Sequence, residues 1–345
     1  LRDIGKFITT YCDEYKIANI SVQAWGGEPL LEKNKIIALT KFITPQKTKV
    51  HYSIETNATL LTNDVIEELY KNHIGIGISI DGDRKCHDLQ RTFVSGKGSY
   101  DTVKKNLLQA QRYYKNKIGT ITTITKQTAV HIEKIIEHLV LDLHISNIKL
   151  NFVHASTYTH GQNQCLNTQE IADTELRILY KIIELQERGY DVMEHNIFIK
   201  LKNLLFREYA DICLSCGCCG GKKMIVFDMD GNIYPCELTD DASFVIGSIY
   251  KKESLIEQIK MTIDKDKAFF KMKKAVECEK CYWKFFCRGG CTVRALSEKR
   301  QMEVIDIDHI ECAINQVLYP ALMELVLRKP HIVNQMLGED LLVDE

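Results

Sequence analysis

Residues 19–29 read Asn-Ile-Ser-Val-Gln-Ala-Trp-Gly-Gly-Glu-Pro: six residues alternating polar and apolar, then a Gly-Gly turn closed by proline. Alternation of this period is that of a strand with one covered face. The turn stops it, because glycine admits a close backbone approach and proline offers no amide for further pairing. The same event recurs downstream. A strand over 50–55 leads into Ser53-Ile54-Glu55-Thr56-Asn57, and one over 74–80 runs through Ser79-Ile80-Asp81-Gly82, with His87-Asp88 and Arg91 just beyond. Strands over 118–124 and 147–152 bring the count to five. Between them, residues 63–71, 101–114 and 131–141 place apolar side chains at three and four spacing, so the crossovers are helix-sized and the strands parallel. A helix carrying Ile4, Phe7, Ile8 and Tyr11 opens the chain.

Bulk properties narrow the classes further. Among 345 residues, Lys and Arg number 45 against 46 Asp and Glu, so no global field draws nucleic acid or an anionic membrane. The apolar runs read as too short to cross a bilayer. Thirteen cysteines without a signal peptide point to a reducing, low-oxygen compartment, the cytoplasm, and against a disulfide scaffold.

Ten of those cysteines stand from residue 213 onward. Cys219 precedes Gly231 by eleven intervening residues and Cys236 follows after four; then come Cys278-x2-Cys281-x5-Cys287-x3-Cys291, and Cys312 alone. Thiolates so dense are soft-metal ligands, for iron–sulfur clusters or paired structural zincs, which spacing alone does not separate. Residues 223–228, the Asp230-Gly231-Asn232 turn and Ile233-Tyr234 read as a hairpin that presents Cys236 on its second arm, with a helix over 254–262 behind it. Glu237 sits beside Cys236; a carboxylate in a desolvated setting has a raised pKa and can accept a proton. Cys12, Cys86 and Cys165 are too scattered to form a site and read as small buried hydrophobes.

Taken in chain order, GGEP at 26–29, SIETNATLL at 53–61, GISIDG at 77–82 followed by HDLQR at 87–91, and the cysteine tail resemble the radical S-adenosylmethionine (SAM) enzymes with a SPASM extension. The resemblance spans nearly the whole chain. It implies an α/β fold: a partial (β/α)6 radical SAM barrel over 1–205, a SPASM iron–sulfur domain over 206–325 and a tail over 326–345. It implies that Gly26, Gly27, Glu28 and Pro29 receive the methionine amino end of S-adenosylmethionine, and that Ser53, Asn57, Ser79 and Arg91 line the same pocket. By the family spacing, Cys278, Cys281, Cys287 and Cys312 hold an outer auxiliary 4Fe-4S cluster. Cys291, Cys236 and Cys219 hold an inner one, with Cys213 as fourth ligand and Cys216 and Cys218 competing for that place.

One departure stands out: the family's CxxxCxxC, which holds the cleaving cluster after the first barrel strand, is absent. The expectation is that strand, motif and third cluster lie upstream of Leu1, and that this chain alone is inactive. The family's chemistry implies a maturase that installs a thioether or related cross-link in a ribosomally made precursor peptide, supplied with electrons by a ferredoxin or flavodoxin. An anaerobic sulfatase maturase forming formylglycine is the enzymatic alternative. In the sulfatase-maturating branch an Asp matches Glu237, which makes Glu237 the candidate base. A peptide-binding module without the catalytic cluster is the non-enzymatic alternative.

Overall fold

The computed structural model describes residues 1–154, 161–206, 218, 220–221, 223–239, 242–265, 276–299 and 307–338. The chain forms two compact units. One comprises Leu1–Ile124, Val130–Asn151 and Tyr190–Glu194, the other Thr125–Ala129, Phe152–Gly189 and His195–Glu345.

In the first unit, β1 (Asn19–Ala24), β2 (Lys49–Thr56), β3 (Ile74–Ser79), β4 (Gly119–Ile124), β5 (Asn147–Phe152) and β6 (Met193–Glu194) form one sheet in sequence order. Adjacent strands β1 to β4 pair in parallel, as do β5 and β6. The five-strand expectation is short by one: β6 has two residues, too few to show a period. Helices α1 (Arg2–Glu14), α2 (Lys33–Phe42), α3 (Asn63–Lys71), α4 (Arg84–Gln90), α5 (Tyr100–Tyr114) and α6 (Ile132–Glu137) lie between or before the strands, α6 continuing into a π turn, His138–Asp142. Helix α5 buries Tyr100, Val103, Leu107, Ala110 and Tyr114, a three-and-four repeat, and α3 buries Ile66 and Leu69. From the sheet, Ile54, Ile74 and Ile78 are fully buried. Each such side chain contributes about 1.5–3 kcal/mol by leaving water. Gly5 lets α1 cross α2 closely, since a Cβ there would lie 2.5 Å from that of Phe42.

The second unit contains α7 (Thr168–Glu187), α8 (His195–Phe206), a three-stranded sheet of β7 (Val226–Phe227), β8 (Asn232–Tyr234) and β9 (Gly247–Ser248), then α9 (Leu255–Lys265), α10 (Thr292–Lys299), α11 (His309–Arg328) and α12 (Pro330–Leu337). Helix α7 opens on a reciprocal cap: Asn167 accepts from the Glu170 amide, and Glu170 from that of Asn167. The hairpin expected around Gly231 is β7–β8, antiparallel, with Gly231 at φ 81° where a Cβ would strike Tyr250 and Ile249. Helix α11 corrects the reading of the apolar runs: by length and composition it could cross a membrane. Here it packs on α7, α8 and α12, and buries Glu311 and Asn315.

Candidate functional site

At the carboxyl end of β1 the Gly-Gly-Glu-Pro turn is held by its own carboxylate. Glu28 Oε1 accepts from the Leu30 amide at 3.0 Å and the Thr56 hydroxyl at 2.6 Å, while Oε2 accepts from the Asn57 amide at 2.8 Å. Both oxygens therefore bind the turn to the end of β2. Pro29 is buried at the start of a 3-10 turn, Pro29–Glu32. Gly26 has φ 149°, and a Cβ on Gly26 or Gly27 would meet nothing within 4 Å. The backbone here is bare and open to a ligand. Asn57 Oδ1 is occupied by the Thr59 amide and hydroxyl at 3.0 and 2.7 Å, so Asn57 shapes the turn with its oxygen.

After β3 the chain is fixed by a buried knot. Asp81 accepts from Arg91 Nε at 2.6 Å, from Gln90 Nε2 at 2.9 Å and from the Thr123 amide at 2.9 Å. His87, fully buried, takes the Asp81 amide on Nδ1 at 3.2 Å and meets Ser99 Oγ with Nε2 at 3.0 Å, and Ser99 donates on to the Arg91 carbonyl. Burial holds the His87 pKa down, at about 4, so the ring is neutral with Nδ1 as acceptor. Its role is to tie the β3 exit to the end of α4, and Arg91 is positioned by that tie.

Register decides which strand residues share a surface. Gln23 pairs with Ser53 and Ser53 with Gly75; Glu55 pairs with Gly77, and Gly77 with Gly119; Ser79 pairs with Ile121. These residues lie on the sheet face opposite Ile54, Thr56, Ile76 and Ile78, which are buried. Ser53 and Ser79 are half-buried on this small, polar face, and so is Glu55, whose Cγ lies 3.4 Å from a Cβ built on Gly77. Glu55 carried no role in the sequence reading. Its parity with Ser53, two residues earlier, is the signal that would have placed it here.

In the second unit, Cys278, Cys281, Cys287 and Cys312 line one cavity, together with Trp283, Asn315 and Gln316. Among the described residues no three His, Cys, Asp or Glu side chains gather closely enough for a single metal ion. Thiols are the ligand type of iron–sulfur clusters, and four of them line this cavity. Without metal, burial pushes the thiols of Cys287, Cys291 and Cys312 up. Metal binding must displace those protons.

Between Cys287 and Cys291 the chain turns through Arg288, Gly289 and Gly290, with φ of 53°, 94° and 70°. A Cβ on Gly289 would meet nothing, on the cavity side. One on Gly290 would lie 2.8 Å from Asp308 Cβ and 3.0 Å from Glu311 Cβ. The turn lets Cys287 face the cavity while Cys291 serves a different neighbourhood. There Cys236, buried beyond β8, has its thiol pushed up to about 12, chiefly by burial, with Glu237, Cys291 and Cys218 adding to it. The charges of Cys291 and Cys218 are thus felt at Cys236, and Glu237, the next residue, is half-buried. Cys213, Cys216 and Cys219 lie outside the described residues.

Behind the cavity stands a buried ionic network that sequence reasoning missed. Lys200 of α8 donates to Glu311 and, at 2.6 Å, to Asn315 Oδ1. Arg294 of α10 holds Asp308 at 2.7 Å and Glu311 at 3.4 Å, and Asp308 accepts the Cys291 amide at 2.7 Å. Nothing in local periodicity marks Lys200 as buried, because its partner is distant in sequence.

Residues 4–139 match the radical SAM superfamily. That stretch is a radical SAM domain, and the chain's relatives include the anaerobic sulfatase-maturating enzymes. It is 26% identical over 273 residues to a cysteine-type anaerobic sulfatase-maturating enzyme of Clostridium novyi strain NT, covering 77% of this chain and 71% of the relative. It is 24% identical over 308 residues to a serine-type enzyme of Bacteroides thetaiotaomicron, covering 84% and 72%. The fold is that of anSMEcpe, solved with AdoMet bound, at a TM-score of 0.79 and 20% identity over 95% of this chain and 88% of that one. Streptococcus suis SuiB, also solved bound to S-adenosylmethionine, matches at 0.62 and 18% identity over 90% and 69%.

Proposed function

We propose that the chain is a radical SAM maturase with a SPASM segment over 206–325, modifying a ribosomally synthesised peptide by hydrogen abstraction and leaving a thioether or related cross-link. The observation that carries the reading is the cavity lined by Cys278, Cys281, Cys287 and Cys312, with Cys291 just beyond the turn that follows Cys287. Bound S-adenosylmethionine and a reduced cluster would supply a deoxyadenosyl radical. The chain's own part is placement: Gly26 and Gly27 expose backbone to the methionyl end, Glu28 and Pro29 brace the turn, and Ser53, Asn57, Ser79 and Arg91 border the pocket. Glu237 would take the proton released as the substrate is oxidised.

Two auxiliary 4Fe-4S clusters, one on Cys278, Cys281, Cys287 and Cys312 and one on Cys236, Cys291 and upstream thiols, would carry the substrate electron to a ferredoxin- or flavodoxin-like protein in the cytoplasm, with neither nucleic acid nor membrane involved. Residues 1–345 hold no CxxxCxxC, so by themselves they are proposed to bind S-adenosylmethionine without cleaving it. The relatives favour a second reading, formylglycine formation in a sulfatase, because three cysteine-type sulfatase-maturating enzymes stand among them.

Mass spectrometry separates the two. Protein purified without oxygen, in a form that includes a CxxxCxxC, is incubated with S-adenosylmethionine, reductant and either a cysteine-bearing precursor peptide or a sulfatase peptide. Loss of two hydrogens with all sulfur retained supports the cross-link. Replacement of a cysteine sulfur by oxygen with loss of two hydrogens supports formylglycine and overturns it.

A further inference from the structure

We propose that Gln316, a carboxamide on α11, is a positioning residue that donates an N–H bond to the sulfur of Cys281 and so raises the reduction potential of the group the cavity holds. The proposal rests on that cavity being a cluster site. Cys312, Asn315 and Gln316 stand at i, i+3 and i+4 of one helix, so a single face of α11 presents one thiol and two amides to the cavity.

The Gln316 Nε2 donates to Cys281 Sγ at 3.6 Å. Asn315 is oriented from behind. Lys200 is a donor only, so the Asn315 oxygen must face its ammonium, 2.6 Å away. The Asn315 amide is then turned to Glu311, at 3.1 Å, which leaves Gln316 as the carboxamide of this face that reaches a sulfur.

A hydrogen bond to a ligand sulfur favours the form with more negative charge, which for a cluster is the reduced one. Gln316 is exposed, at the cavity mouth, so its replacement tests the bond without opening the core.

The full chain is loaded with iron and sulfide without oxygen and titrated redox-wise by electron paramagnetic resonance, taking as the outer signal the one that Cys281→Ser removes. Gln316→Leu is expected to keep its iron and, at the wild-type midpoint, to lower the ratio of reduced to oxidised cluster about tenfold, which is about 59 mV for one electron. Gln316→Glu should move the ratio the same way and further. A ratio unchanged in both variants overturns the proposal. So does loss of iron from both, which would make Gln316 a structural residue. A wild-type chain that takes up no iron and sulfide sinks the cluster reading itself, before any variant is titrated.

Discussion

Lys200 on α8 and Glu311 on α11 form an ion pair sealed from water, 111 residues apart in the chain. Desolvation works against both charges, and each keeps its charge because the other is present, with Arg294 and Asn315 completing the set. The pair fixes the helix that carries Cys312 against one that carries no thiol. Lys200→Met should cost up to about 3–5 kcal/mol, because Glu311 loses its ammonium partner and keeps only Arg294, at 3.4 Å, and Asn315 against its buried charge. The double variant Lys200→Met/Glu311→Leu should recover much of that loss. Urea unfolding of the single and double variants checks this, and equal losses would contradict it.

Gly290 and Gly289 should respond differently to the same added methyl. Both have positive φ, so alanine at either meets backbone strain of about 1–3 kcal/mol. At Gly290 the methyl also runs into Asp308, which holds the Cys291 amide, whereas at Gly289 it meets nothing. Gly290→Ala is expected to be the less stable of the two and to bind less iron per chain. Iron analysis beside thermal melts tests the order.

His87 makes stability pH-dependent. Its pKa is held at about 4 in the fold, against about 6.5 in an unfolded chain. Below the unfolded value the unfolded state binds a proton that the folded state refuses, so stability is present above about pH 6.5 and falls as pH drops toward 4. The full shift is worth about 3 kcal/mol. His87→Gln, which cannot titrate, should flatten this part of the profile. Urea midpoints at intervals between pH 7 and 4 measure it, and parallel profiles would refute it.

Glu28 should matter for ligand binding through the turn it braces. Glu28→Ala frees the Leu30 and Asn57 amides and the Thr56 hydroxyl at once. Loss of preorganisation of about 1.4 kcal/mol corresponds to tenfold weaker binding of S-adenosylmethionine. Calorimetric titration reads this directly, and an unchanged affinity would remove Glu28 from the binding surface.

The sequence carried most of what depends on neighbours in the chain. The alternation of residues 19–24 and 147–152 and the three-and-four repeat of 63–71 gave those elements with the bounds observed, because strand and helix periods are local properties. Where the element was only two residues long, as in β6, no period existed to read. Helix α11 shows the converse: its composition fits a membrane span, and only its packing and buried Glu311 show what it is set against here.

Cysteine spacing by itself marked the soft-metal ligands and the proline and glycines marked the turns, since thiolate chemistry and backbone freedom belong to the residue type. Tertiary structure alone decided that Cys278, Cys281, Cys287 and Cys312, a set the family resemblance had grouped, line one cavity and that Trp283 and Asn315 line it with them. It also brought Lys200 to Glu311 and turned Gln316 toward Cys281. Burial and orientation arise from segments that meet only on folding, and no window along the chain contains them.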